Sequence, residues 1–520
     1  MQRHRIALLG SALRVFHLVA ITVVAFFLMP FLVHRLGDRL YGYWTLVAAV
    51  LGYYGLLDLG IVTAVQYHVA KSLGMAGRES ANRTISTAFY IFSGLGLLIL
   101  AITVVMAFLA GLFISDPTDA HLFRTVLLLM GIGFAFGFPG RAFLGALCAH
   151  LRLDLVAIVG IAVLFFRTTL IVVIIGRGGG IVALASIMLV SEIATYLAYY
   201  FALRKIQTGL DISHTLATRE TLRQLFGYSG YALIVQISDQ LRFFIDGWMV
   251  GIFVSVAAVT HYAIASRISQ SFLSLIVALL GILSPWFSQL WGSSDLPGIR
   301  RVFIFGTKVS AVISTIIASS LILYGRPFIV AWMGPKYLDA YWPLVLLVAA
   351  IYLDVAQQPS VAYLYGVSRH RFLAWLTFAE AIVNVALSIY WARRYGMTGV
   401  ALGTLVPIVI AKLIIQPAYV CRTLKLSPGS YYLNLLGRSA APPALTSVLI
   451  WAVLFRNATL SRIWGICFVI AAQALVCALI SLVFAFTREE RSLLTTKLRF
   501  TTNPAQQNSQ TAGLAVMEER

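Results

Sequence analysis

Apolar residues in this chain do not alternate with polar ones. They run in long stretches, separated by short polar turns, from about residue 15 to residue 486. A helix needs about 20 apolar residues to cross the hydrocarbon of a bilayer. Fourteen stretches meet that pattern: 15–33, 43–66, 85–114, 122–147, 155–176, 181–203, 228–252, 257–289, 303–324, 340–365, 372–392, 396–421, 434–455 and 462–486. Several are long enough to tilt or to extend past the lipid. Membrane strands would be half as long and would alternate. The pattern predicts an all-α polytopic membrane protein with about fourteen transmembrane helices.

Composition agrees. Of 520 residues, 60% are hydrophobic and 11% charged, against about 25% charged in an ordinary soluble domain. Mean hydropathy is +0.89. These values exclude a soluble enzyme, a disordered chain and a fibrous protein. Arg3, His4, Arg5 and Arg14 precede the first apolar run in the manner of a signal peptide. That run is too long, and no small-residue cleavage site follows it, so it predicts an uncleaved first helix. Cys148, Cys421, Cys467 and Cys477 lie in apolar stretches and form no C-x-x-C pair. They read as buried hydrophobes, and neither a metal nor a cofactor is predicted.

The charge changes the picture through its placement. Lys and Arg total 39 against 19 acids. An even span count puts both ends on one side. With the N-terminus cytoplasmic, 25 basic residues fall in inside segments, 10 in outside loops, and Arg167, Arg242, Arg267 and Lys412 within spans. That bias orients the chain with both termini in the cytoplasm. The basic excess is a topology signal, and no nucleic-acid partner is needed to explain it. From Arg488 onward the sequence turns polar, and the tail 488–520 is predicted to be a disordered cytoplasmic segment.

Sliding the chain on itself by about 219 residues aligns several landmarks. Tyr43 meets Tyr262, Pro139 falls beside Pro359, and the basic turn at Arg152 meets the one at Arg371. Gly178-Gly179-Gly180-Ile181-Val182-Ala183-Leu184 meets the stretch from Gly396 to Leu402 with a slip of one residue. One offset that also maps span 1 onto span 7 and span 6 onto span 12 predicts two parallel six-helix lobes. Residues 1–210 form the N-lobe, 211–427 the C-lobe, and 428–487 two extra C-terminal helices. No P-loop is present, and the glycines at 176–180 lack its lysine. Two lobes that rock around a central site are the plain reading of this layout.

Two motifs point to a family. Leu36-Gly37-Asp38-Arg39-Leu40-Tyr41-Gly42-Tyr43-Trp44, followed by Leu56-Leu57-Asp58-Leu59-Gly60, resembles the opening of the polysaccharide flippases. These are the O-antigen and lipid-linked oligosaccharide translocases of the multidrug/oligosaccharidyl-lipid/polysaccharide exporter superfamily. The stretch Gly396…Gly399-Val400-Ala401-Leu402-Gly403 is similar to theirs as well. The resemblance implies a secondary transporter of the bacterial inner membrane that turns an undecaprenyl-diphosphate-linked oligosaccharide to the outer leaflet by alternating access. Its implied partners are that lipid-linked oligosaccharide, membrane lipid, a coupling proton or sodium ion, and other polysaccharide-assembly proteins. Fourteen spans also occur in flippases of the peptidoglycan precursor, so a lipid II-type substrate stays open. So does a multidrug exporter of the same fold. A membrane glycosyltransferase or polymerase is the weaker alternative, because Asp116 and Asp119 sit in an external loop too small for a catalytic domain.

Charged side chains at mid-membrane cost about 2.5–3.5 kcal/mol on insertion scales and face the bundle interior. Span 7 carries Gln236, Asp239, Arg242 and Asp246 on one helix face. Arg242 is expected to line a central cavity and meet the anionic head group, or else to neutralise Asp239 and Asp246. Arg267 has the guanidinium fork that suits a diphosphate, or it snorkels outward. Arg167 lies mid-span without an evident partner. Lys412 falls one residue from the repeat-mate of Glu192, so that the two are expected to face each other across the lobe interface, or else Lys412 snorkels inward. Asp58, Glu192, Asp354 and Glu380 are the candidates for ion coupling, Glu380 heading a stripe with Asn384 and Ser388. Tyr196, Tyr199 and Tyr200 suit sugar stacking, and equally an interfacial aromatic belt.

Overall fold

The computed structural model describes residues 2–74, 77–114, 116–226, 230–280, 283–455, 463–488 and 490–491. Among them the regular structure is entirely helical, with no strand. The chain divides into two compact units, Met1–Ser271 with His370–Pro407, and Phe272–Arg369 with Ile408–Arg520.

The first unit contains α1 (Gln2–Leu36), α2 (Asp38–Tyr54), α3 (Ile61–Gly74), α4 (Arg78–Phe113), α5 (Pro117–Gly137), α6 (Gly140–Ala149), α7 (Leu153–Gly176) and α8 (Ile181–Ile206). After the short α9 (Arg219–Phe226) come α10 (Gly230–Phe253) and α11 (Val256–Leu280), whose last turns belong to the second unit. Between α2 and α3 the chain breaks in a short turn, Gly55–Asp58, followed by positive φ at Leu59 and Gly60. Small residues let α2 lie close to its neighbours. A Cβ at Gly52 would come within 2.7 Å of the Phe244 ring, and one at Gly42 would strike the Val256 carbonyl.

The second unit contains α12 (Leu283–Gly292), α13 (Leu296–Trp332), α14 (Tyr341–Ala356) and α15 (Gln358–Gly366). Next, α16 (His370–Ile410) runs through the first unit and re-enters the second at Ile408. The rest of the second unit is α17 (Gln416–Leu424), α18 (Pro428–Tyr432), α19 (Ala441–Phe455) and α20 (Ile463–Phe484). At its end the chain folds onto α13. Phe486 packs with Val312, Ile316 and Cys477, its ring 5.9 Å from that of Phe305. Thr487 and Glu490 form a capping box: the Thr487 N–H donates to Glu490 Oε2 at 2.8 Å and the Glu490 N–H to Thr487 Oγ1 at 3.3 Å. Lys308 Nζ of α13 donates to both Glu490 oxygens, at 2.9 and 2.8 Å.

Ten helical stretches among the described residues are long and apolar enough to cross a membrane. The expected fourteen are therefore not all reached, for local reasons. The stretch Arg371–Leu424 covers two expected spans, 372–392 and 396–421. Gly396 (φ 57°, ψ −135°) reverses the chain between them. The two arms of α16 pack closely enough that a Cβ at Gly399 would strike the Trp391 carbonyl and one at Gly403 the Ser388 side chain. Expected spans 228–252, 257–289 and 434–455 form α10, α11 and α19. The three charged residues of α10 keep it below that standard, and parts of α11 and α19 lie outside the described residues.

Candidate functional site

Pro139 has no N–H to donate and so separates α5 from α6 within one apolar stretch. Gly140 follows, and a Cβ there would come within 2.7 Å of the Tyr196 ring on α8. This close approach forms one wall of a small, partly open cavity of about 100 Å³ between α5, α6 and α8, lined by Phe134, Phe138, Arg141, Glu192, Tyr196 and Tyr199 among others.

The cavity is charged on two sides. Arg141 stacks its guanidinium on Phe138, 4.4 Å from the ring centre, and lies 5.6 Å from Phe134. Asp58, at the break after α2, comes no closer than 3.7 Å. Among the described residues no hydrogen bond uses the Arg141 N–H groups. Glu192 lies within electrostatic reach of both Arg141 and Arg167. Arg167 of α7 also points one amine at the Met188 sulfur, 3.8 Å away. Two bases and two acids on four elements therefore alternate in one cluster. Tyr196 and Tyr199 line this cavity, whereas Tyr200 packs its ring on Phe143, 5.5 Å away.

The polar face of α10 has a different fate. Arg242 pairs with Glu380 of α16 at 3.2 Å, their side chains 5% and 1% exposed. Asp246 accepts from Tyr262 Oη at 2.6 Å and from Thr404 Oγ1 at 3.0 Å. Asn384 donates to the same Thr404 oxygen at 3.0 Å, and Ser388 to the Val400 carbonyl at 3.3 Å. The stripe Glu380, Asn384 and Ser388 thus joins the two arms of α16 to each other and to α10. Gln236 reaches the Gly55 carbonyl at 3.3 Å. The Asp239 side chain lies outside the described residues.

In the second unit Lys412, 2% exposed, pairs with Asp354 at 3.0 Å and donates to Gln416 at 3.1 Å. It sits in a π-helical turn, Ala411–Ile415. Arg267 is half-buried within electrostatic reach of Tyr41. The structure thus brings Asp58, Arg167 and Glu192 together, and joins Arg242, Asp246 and Glu380 in one network. Lys412 and Asp354 form a separate pair. Arg141, Tyr262 and Thr404 were not among the sequence candidates. For Arg141 a signal existed, since Pro139 and the glycines beside it mark a break inside an apolar run.

Helices throughout the described residues, ten stretches of them long and apolar enough to cross a membrane, define a polytopic membrane protein. The chain belongs to the family described as polysaccharide biosynthesis protein, whose model matches residues 41–342. Among its relatives is the uncharacterized membrane protein EpsK of Bacillus subtilis (strain 168), 22% identical over 91% of this chain and 94% of the relative. A protein of Shigella flexneri named for O-antigen transport is 21% identical over 76% of this chain and 94% of its own length. Two solved structures share the fold. An inward-facing multidrug resistance MATE family transporter of the MOP superfamily has a TM-score of 0.68, covering 81% of this chain and 98% of its own, at 14% identity. The lipid II flippase MurJ, in an inward closed conformation, has a TM-score of 0.67, covering 94% of this chain and 99% of its own, at 16% identity.

Proposed function

We propose that this protein is a flippase that moves an undecaprenyl-diphosphate-linked oligosaccharide from the cytoplasmic to the outer leaflet of a bacterial inner membrane. The observation that carries this reading is the family match over residues 41–342, on a chain built of membrane helices. The O-antigen transport named for a relative gives the substrate class. The protein works by binding and conformational change rather than by bond chemistry, and the lobes 1–210 and 211–427 alternate access to the two leaflets. Both termini lie in the cytoplasm, as the basic loops require. A proton or sodium ion would drive the cycle, with the acids Asp58, Glu192, Asp354 and Glu380 as carriers.

A lipid II-type precursor is the second reading. The likeness to the lipid II flippase extends over 94% of the chain, against 81% for the multidrug transporter. The test is deletion of the gene, followed by labelling of lipid-linked glycan on each leaflet. Accumulation of a polysaccharide repeat on the cytoplasmic side supports the first reading, and accumulation of peptidoglycan precursor supports the second. An unchanged distribution of both refutes transport of a lipid-linked glycan.

A further inference from the structure

We propose that Arg141 is the anchor for the phosphate oxygens of a diphosphate, held in the cavity between α5, α6 and α8 with Tyr196 and Tyr199 beside the group attached to it. The inference rests on the transport reading for its substrate class, and on the geometry of the cavity for its residue.

Arg242 and Lys412 are closed off by their acids, at 3.2 and 3.0 Å. Arg141 is not. Its side chain is 29% exposed, and its acid, Asp58, stands 3.7 Å away. A guanidinium carries five N–H donors in its plane. The guanidinium lies over the Phe138 ring and near that of Phe134, and among the described residues none of its N–H groups is used in a hydrogen bond. A planar fork with free donors is the arrangement that binds phosphate oxygens in pairs. The cavity is partly open, so a group attached to the diphosphate can extend out of it. Tyr196 and Tyr199 on its α8 wall offer aromatic rings and hydroxyls to an adjoining sugar. In the orientation set by the basic loops, the α5–α6 junction lies toward the cytoplasm. That is the side on which a lipid-linked glycan is assembled before transport.

Glu192 gives the proposal a second handle. It shares the cavity, and a Cβ at Gly137 would come within 3.3 Å of its Oε2. Its carboxylate answers the charge of Arg167 and Arg141. An arriving anion competes with it for Arg141. Arg141→Gln and Glu192→Gln should therefore act in opposite directions, which no purely structural role predicts.

The test uses the purified full-length protein in detergent, with farnesyl diphosphate, inorganic pyrophosphate and farnesol as probes in calorimetric titration. The wild type should bind farnesyl diphosphate and not farnesol. Arg141→Gln should weaken that binding tenfold or more, Arg141→Lys should give an intermediate loss, and Glu192→Gln should tighten it several-fold. Pyrophosphate binding with the same dependence on Arg141 shows a site open to free diphosphate. Binding of the prenyl form alone shows one that also needs the lipid. The proposal is overturned if the wild type binds neither diphosphate, if a normally folded Arg141→Gln protein binds as the wild type does, or if Glu192→Gln weakens binding as Arg141→Gln does. Leaflet labelling separates the two layers of inference. Arg141-dependent binding in a protein whose deletion leaves glycan distribution unchanged keeps the site and removes the transport reading. Normal export by Arg141→Gln, where deletion blocks export, does the reverse.

Discussion

The Arg242 guanidinium, 5% exposed and 3.2 Å from Glu380, cannot meet a ligand without giving up its partner. Removing one member of a buried ion pair strands the other charge, at a cost of about 3–5 kcal/mol, whereas replacing both by apolar residues is often neutral. Glu380→Leu should therefore lower the melting temperature sharply, and Arg242→Met with Glu380→Leu should recover most of the loss. A double variant no more stable than the single one would show that the pair is not the source of the effect. Sequence spacing identified which residues in α10 share a face, because helical periodicity fixes that. It did not identify Glu380 as the partner of Arg242, because partners on another helix depend on tertiary packing. Arg141 escaped notice because a basic residue near the inner end of an apolar run looks like a topology charge. Only the close approach of Tyr196 to Gly140 shows that it borders a cavity.

Helix pairs show where glycine pattern and structure meet. The stretch from Gly396 to Gly403 was visible in sequence as one half of the repeat, and in the structure it makes the reversal of α16. Gly396 holds a backbone conformation that other residues adopt only with strain, about 1–3 kcal/mol. Gly399→Ala should be worse, because its Cβ would meet the Trp391 backbone, which cannot swing aside. Measured by the fraction of folded protein extracted from membranes, Gly396→Ala should fall below wild type and Gly399→Ala below both. The same reversal places two expected spans, 372–392 and 396–421, within one continuous helical stretch. In α10 the reverse happened, since a helix rich in charged residues fails an apolar standard while burying those charges against α16.

For the whole molecule, apolar content made the class legible at once, and the basic loops suggested its orientation. Reporter fusions test the latter. A fusion after Arg177 should read outside and one within 204–227 inside, and either reversal would overturn the proposed topology. Acidity should act at the C-terminal end of the described chain. Burial alone would raise the Glu490 carboxyl, but the bonds from Lys308 and from Thr487 bring it below its ordinary value. A carboxyl lowered in the folded state stabilises above its unfolded pKa and loses that contribution as pH falls through the folded one. Wild type should melt above Glu490→Gln at neutral pH, and the two curves should converge only in acid below the usual glutamate range. Curves that stay parallel throughout would show that the Lys308 contact contributes nothing.

The capping box that meets Lys308 also sets where the protein can be trimmed for preparation. The last apolar helix ends at Phe484, so a boundary drawn from hydropathy alone would discard the next seven residues as tail. Those residues include Phe486, which closes an apolar cluster on α13, and the carboxylate that answers an ammonium only 3% exposed. A protein ended at Phe484 would retain every span and still leave that ammonium in an apolar setting without its counter-charge. It should give lower yield and aggregate sooner in detergent than one ended after Arg491, and a purification tag belongs beyond that point.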